Sequence, residues 1–85
     1  MGDYKILIKP SAVSEIEELP KKDRLRVVKR IQNLSSNPRL PGYEKLSGEE
    51  KYRVRQGWYR IIYSVDESKQ TVLVVRVGHR RDVYR

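Results

Sequence analysis

Arginines alternate along one stretch in the second half of the chain, at a spacing that suits phosphate binding. Positions 51–62 hold four cationic residues and no acidic one. In an extended strand alternate side chains share a face, so Lys51, Arg53 and Arg55 would project together. Guanidinium groups bind phosphate through paired hydrogen bonds and stay charged at physiological pH. The stretch therefore predicts a phosphate-binding surface, and the simpler alternative is the solvated face of an antiparallel sheet.

The C-terminal residues supply further candidate groups. Arg76, Arg80 and Arg81 continue the cationic run. Tyr84 carries an aromatic ring that can stack on an unpaired base. His79 is the single histidine, and an imidazole titrates close enough to neutral pH to act as a general acid or base. The alternative for His79 is a surface residue or a contact within the fold.

Hydrophobic spacing indicates the elements that position these groups. Residues 4–8 are typical of a strand, which Pro10 ends. Ser11 is predicted to cap a first helix that Pro20 breaks, and a second helix is predicted over about 22–34. The apolar positions of the two helices are Ala12, Ile16, Leu19, Leu25, Val27, Val28, Ile31 and Leu34. Their charged residues, expected to form a solvated face, are Glu15, Glu17, Glu18, Lys21 and Lys22.

After a loop predicted over 35–48, the hydrophobic period changes from about 3.6 to 2, which indicates strands. The strands are predicted at 51–56, 58–65 and 70–77. The element order β-α-α-β-β-β predicts an α+β fold, in which a helical hairpin packs on a mainly antiparallel four-stranded sheet.

Alternation within these strands predicts which residues face the helices. The core face is expected to hold Tyr52, Val54, Ile61, Tyr63, Leu73 and Val75. The open face is expected to hold Arg53, Arg55, Arg60 and Arg76. Trp58 and Tyr59 are expected to join the core, and stacking on RNA is their alternative role.

Composition narrows the class of protein. At 85 residues the chain predicts one domain, over 1–85, and 19 Lys and Arg against 11 Asp and Glu give a formal charge of +8. Such a charge favours a nucleic acid or an acidic protein as partner.

The absence of cysteine excludes disulfides and thiol nucleophiles, and no metal site or cofactor is expected. With no export signal and no membrane-spanning run, we expect a cytoplasmic protein without a membrane partner.

Three segments resemble the RelE toxin family. They are residues 52–55 (Tyr-Arg-Val-Arg), 58–63 (Trp-Tyr-Arg-Ile-Ile-Tyr) and 76–84 (Arg-Val-Gly-His-Arg-Arg-Asp-Val-Tyr), and weaker likeness extends over nearly the whole chain. The resemblance implies a RelE-like fold and a toxin that cleaves mRNA in the ribosomal decoding site. It also implies a cognate RelB-like antitoxin, and a metal-independent attack of the ribose 2′-hydroxyl on the adjacent phosphate.

The resemblance assigns roles to individual residues. The residues implied to bind the scissile phosphate and stabilise its transition state are Arg53, Arg55, Arg60 and Arg80, while Tyr84 would stack on a codon base. Lys51, Arg76 and Arg81 would add contacts to RNA. The family pattern has lysines at the positions of Arg53 and Arg55, and arginine is a poor general base. Either the ribosome and electrostatic stabilisation carry more of the catalysis, or His79 serves as acid or base.

Two other functions fit the same sequence. The sister ParE-type toxins, which bind DNA gyrase and have no nuclease activity, share the fold and some strand motifs. The second alternative is a non-catalytic RNA-binding relative. It fits because Arg53 and Arg55 stand where the family pattern has lysines.

Overall fold

The computed structural model describes residues 3–38, 43–45 and 51–79. The elements are β1 (Lys5–Ile8), α1 (Pro10–Glu17), α2 (Lys21–Ser36), β2 (Glu44–Lys45), β3 (Lys51–Gln56), β4 (Tyr59–Asp66) and β5 (Thr71–His79). No helix in these ranges is long and apolar enough to cross a membrane.

The five strands form one mixed sheet in the order β1-β5-β4-β3-β2. β1 runs parallel to β5, and every other neighbouring pair is antiparallel. Both helices pack on one face of the sheet, so the predicted α+β class is confirmed. The four predicted strands are present, and β2 is a fifth, two-residue strand inside the segment predicted as a loop.

Two prolines set where the helices begin. Pro10 is the first residue of α1, where its fixed φ suits a helix and its missing N–H has no partner to lose. The predicted cap at Ser11 is therefore wrong, because Ser11 lies inside the helix and Lys9 precedes it without a side-chain cap. Pro20 is the N-cap of α2, three residues after α1 ends at Glu17.

The core lies between the helices and one face of the sheet. Its helical residues, all predicted, are Ala12, Ile16, Val27, Ile31 and Leu34. Its sheet residues are Val54, Ile61, Tyr63, Val72, Val74 and Val77. The Tyr63 hydroxyl donates a hydrogen bond to the carbonyl oxygen of Pro38, which satisfies a buried polar group. The prediction for Leu25 is wrong: its side chain points away from this core and is 59% exposed.

The predicted facing of β5 is wrong at Leu73 and Val75. Val72 and Val74 are buried instead, and Leu73 is paired with Ser64 on the open face. Between Val74 and Arg76 the pairing with β4 slips by one residue, which forms a β-bulge. Because a one-residue slip exchanges the two faces, the odd-numbered Val77 is buried after the bulge.

Candidate nucleic-acid interface

The hairpin of β3 and β4 brings three arginines to the open face of the sheet. In its register Arg53 lies opposite Ile62, and Arg55 lies opposite Arg60. Directly opposed residues of an antiparallel pair share a face, so the three arginines project on the side away from the helices. The alternation in the sequence thus places these side chains together as predicted.

A tight turn at the end of this hairpin fixes the neighbouring residues. Gln56 pairs with Tyr59, so Gly57 and Trp58 are the two central residues. Gly57 has a φ of 61°, the positive value that a type II′ turn requires at its first central position. Trp58 therefore sits at the tip of the hairpin, beside the arginines.

The two opposed arginines differ in their surroundings. Arg60 is only 4% exposed, whereas the Arg55 side chain is 60% exposed. Both line a hollow of about 330 Å³ together with Gly57, Trp58 and Tyr59. Two cations on paired residues repel each other, and an anion in the hollow would offset that repulsion. The arrangement is suited to holding a phosphate group.

A carboxylate on β2 lies against two of the strand arginines. Glu44 pairs with Arg53 across β2 and β3. One Glu44 oxygen is 2.8 Å from Arg53 Nη2, and the other is 3.4 Å from Arg55 Nη2. Lys51, two residues before Arg53, is half-buried opposite Ser64. Glu44 thus neutralises part of the positive charge of the open face.

Arg76 pairs with Ile62, which places it on the open face as predicted, but its guanidinium group contacts α1 instead of joining the other arginines. Its Nε lies 3.6 Å from a Glu15 oxygen of α1, and the other Glu15 oxygen accepts a hydrogen bond of 2.8 Å from the Val77 backbone N–H. β1 pairs with β5 only up to Val74, so α1 covers the edge beyond it. The expectation of a solvated Glu15 is wrong for the same reason.

His79 closes β5 within a cluster of three rings. It pairs with Tyr59, whose ring meets it edge-on at a centroid distance of 5.9 Å. Its ring is parallel to that of Trp58 within 8°, with centroids 6.5 Å apart. His79 lines a second hollow, of about 230 Å³, along with Glu15 and Arg76. The structure thus sets His79 beside the arginine hollow rather than among the residues that line it.

Tyr59 and Trp58 differ in burial, although both were expected in the core. Tyr59 is half-buried, and its hydroxyl donates a hydrogen bond of 3.2 Å to Asp23 of α2. Burial of the phenol, then this hydrogen bond and the charge of the Asp23 carboxylate, raise the pKa of Tyr59 above its ordinary 10.0. Trp58 is 66% exposed, so its predicted place in the core is wrong. The reason is the hairpin turn, which carries Trp58 beyond the paired strands.

The remaining predicted residues are Arg80, Arg81 and Tyr84, which lie outside the described residues. Glu44 and Glu15 were not predicted to contact the arginines. No local pattern marks Glu44, since its contacts depend on the pairing of β2 with β3. The Gly57-Trp58 pair between two strands was a usable signal for a two-residue turn.

Comparison with known proteins assigns the family. The family model described as "ParE toxin of type II toxin-antitoxin system, parDE" matches residues 6–84. The chain belongs to this family. The toxin is also 31% identical over 86 residues to toxin RelG of Mycobacterium tuberculosis. The alignment covers 96% of this chain and 97% of RelG.

Solved structures agree with this assignment. The toxin–antitoxin complex RelBE2 from Mycobacterium tuberculosis contains a chain with a TM-score of 0.82 and 30% identity, covering 96% of the toxin and 97% of that chain. A chain of the archaeal RelE–RelB complex from Pyrococcus horikoshii gives a TM-score of 0.82 at 28% identity. The match covers 94% of the toxin and 98% of that chain. These relatives confirm the resemblance to RelE-type toxins and place the toxin in the RelE/ParE superfamily.

Proposed function

We propose that the toxin is a metal-independent endoribonuclease that cleaves mRNA in the decoding site of the ribosome and so stops translation. The observation that carries this proposal is the arginine group on the open face, where Arg55 and Arg60 are paired across neighbouring strands and line the same hollow. Toxin RelG and the RelE chains are the relatives that support this choice.

The proposed reaction is attack of a ribose 2′-oxygen on the adjacent phosphorus. The new P–O bond closes a cyclic phosphate, the bond to the 5′-oxygen breaks, and that oxygen leaves as a 5′-hydroxyl. Negative charge grows on the phosphorane oxygens, and fixed cations stabilise that charge in the transition state. Buried Arg60 is held in place and poorly hydrated, which strengthens its interaction, while exposed Arg55 can reach the phosphate from solvent.

Proton transfer in this reaction needs a group other than the arginines. A base takes the 2′-hydroxyl proton and an acid returns a proton to the leaving oxygen. Arg53 and Arg55 stay protonated, so His79 and groups of the ribosome are the candidates. Full ribosome-dependent activity of His79→Ala would remove this histidine from the mechanism.

Other roles follow from the family resemblance. Arg80 would bind the phosphate, Tyr84 would stack on a codon base, and Lys51 and Arg81 would contact the RNA backbone. Arg76, held at Glu15, would contribute to the general positive field rather than bind the scissile phosphate.

We also propose a RelB-like antitoxin as partner, and the cytoplasm as location, where ribosomes and mRNA are available. The similar chains from Mycobacterium tuberculosis and Pyrococcus horikoshii belong to toxin–antitoxin complexes. An acidic antitoxin segment over the open face would neutralise the arginines and exclude RNA. The formal charge of +8 favours such a partner.

A second candidate function is inhibition of DNA gyrase. The description of the matching family model as a ParE toxin is the observation that favours it. A gyrase-binding toxin acts through a protein interface and needs no phosphate site.

One pair of assays distinguishes mRNA cleavage from gyrase inhibition. Purified toxin is added to ribosomes programmed with a defined mRNA, and in parallel to gyrase with relaxed plasmid DNA. We expect cleavage of the mRNA in the decoding site with 5′-hydroxyl and cyclic phosphate ends, and no loss of supercoiling activity. Gyrase inhibition with intact mRNA would favour the second candidate. Binding to RNA with a steep salt dependence and no cleavage on ribosomes would identify a non-catalytic relative.

A further inference from the structure

We propose that Trp58 is a stacking site for an unpaired RNA base next to the phosphate held by the open-face arginines. The inference rests on the proposed function and extends it by naming a base-binding residue at the hairpin tip. Trp58 is 66% exposed, which makes it the most exposed large hydrophobic side chain among the described residues. Single exposed apolar residues are common, so exposure needs support from orientation and location.

The indole of Trp58 is held in a defined orientation. The type II′ turn fixes its backbone, with Gly57 at the positive φ of 61°. The His79 ring lies parallel to the indole within 8°, and the edge of Tyr59 in turn packs against His79. With the His79 ring alongside, an exposure of 66% leaves much of the indole surface accessible to a base. A ring ordered before binding loses little conformational entropy when a base stacks on it.

The location of Trp58 brings an aromatic ring to the same hollow as two of the arginines. Trp58 lines the same hollow of about 330 Å³ as Arg55 and Arg60. A phosphate on the guanidinium groups and a base on the indole would be joined through one ribose. Stacking on an aromatic side chain contributes about 1–3 kcal/mol per base and tolerates every base type. The site therefore suits any unpaired base beside the phosphate, without sequence preference of its own.

Intrinsic fluorescence tests this directly, because Trp58 is the single tryptophan of the chain. The probes are a short single-stranded RNA oligonucleotide and an abasic oligonucleotide of equal length and charge, both titrated at low salt. We expect the base-bearing RNA to quench the fluorescence strongly and the abasic strand to bind with little quenching. Equal quenching by both strands would overturn the proposal.

Variants measure the contribution to affinity and to cleavage. Trp58→Ala is expected to weaken binding of the RNA oligonucleotide about tenfold, to leave abasic binding unchanged, and to slow single-turnover cleavage on ribosomes by a similar factor. Leu25→Ala, which removes another highly exposed apolar side chain, is the matched control, with circular dichroism to verify folding. Trp58→Ala that binds and cleaves like wild type would refute the stacking site. If wild-type toxin cleaves nothing on ribosomes, the proposed function fails, while base-dependent quenching would still support the stacking site.

Discussion

At the residue scale, the open-face arginines are chemically alike but placed in different environments. Arg60 is nearly buried, the side chain of Arg53 is 12% exposed, and Arg55 is largely in solvent. A buried cation is oriented by its surroundings, and an exposed one retains the freedom to meet an incoming anion. Arg60 and Arg55 therefore combine a fixed charge with a mobile one at a single hollow, while Arg53 lies beside them on the same face.

Alternation in the sequence is enough to place these arginines on a common face, because side chains in a strand have a period of two. It does not reveal their partners. Glu44 reaches Arg53 and Arg55 only because β2 pairs with β3, and Trp58 leaves the core only because a turn starts at Gly57. The contacts of Glu44 depend on tertiary pairing that local spacing does not encode, whereas the turn at Gly57 is signalled by the local sequence.

Glu44 leads to a prediction about RNA affinity. In the free toxin its carboxylate occupies the Arg53 and Arg55 guanidinium groups that an RNA phosphate would use. Glu44→Gln should raise affinity for single-stranded RNA about threefold, since an exposed ion pair of this kind contributes under about 1 kcal/mol. The measurement is a binding titration at low salt.

Glu17→Gln changes the net charge equally on the exposed side of α1 and serves as control. If both variants gain the same affinity for RNA, the change in net charge explains the effect and Glu44 has no specific role. A loss of affinity in Glu44→Gln would mean that Glu44 holds the arginines in their binding geometry.

At the element scale, the two helices and the four longer strands follow from hydrophobic periodicity, and their ends lie within about two residues of prediction, whereas the two-residue β2 was not predicted. The error in β5 has a specific cause. Its bulge inserts Val75, so the residues that face the helices change from even to odd numbers along one strand. Since the strand sequence alternates among similar aliphatic residues, nothing in it marks the position of the slip.

The contact between α1 and the edge of β5 leads to a prediction about local stability. Glu15 accepts the Val77 N–H, which has no strand partner on that side because β1 ends earlier. Glu15→Ala should lower the free energy of unfolding by about 1–2 kcal/mol, because a part-buried donor loses its acceptor. Denaturant unfolding measures the loss, and amide hydrogen exchange at Val77 should accelerate.

Glu17→Ala, on the same helix but exposed, should change the unfolding free energy little. Unchanged exchange at Val77 in Glu15→Ala would show that this hydrogen bond does not secure the edge.

At the scale of the whole molecule, the two faces of the sheet have separate tasks. The helices cover one face and form the core together with it, while the other face carries the arginines. The formal charge of +8 on 85 residues attracts polyanions and opposes self-association. Alternation within the strands was sufficient to predict this division except along β5, because side chains in a strand have a period of two.

Tyr59 leads to a prediction about stability against pH. The pKa of Tyr59 is higher in the folded protein than the ordinary value of 10.0. The neutral phenol therefore contributes fully to stability below the ordinary value. This contribution is lost as the pH rises through the pKa of the folded state. Unfolding free energy should therefore fall less between about pH 9 and pH 11 in Tyr59→Phe than in wild type. Tyr43→Phe, at an exposed tyrosine, is the control. Parallel pH profiles for wild type and Tyr59→Phe would contradict the prediction.

The proposed chemistry is tested most directly by the single-turnover rate of mRNA cleavage on programmed ribosomes. Arg55→Ala is the informative variant, because a change at buried Arg60 would also disturb folding. Lys69→Ala removes an exposed cation from the turn at the opposite end of the sheet and is the control. We predict that Arg55→Ala lowers the rate on the order of a hundredfold while Lys69→Ala leaves it unchanged. Cleavage by Arg55→Ala at the wild-type rate would contradict the assignment of the open-face arginines to phosphate chemistry.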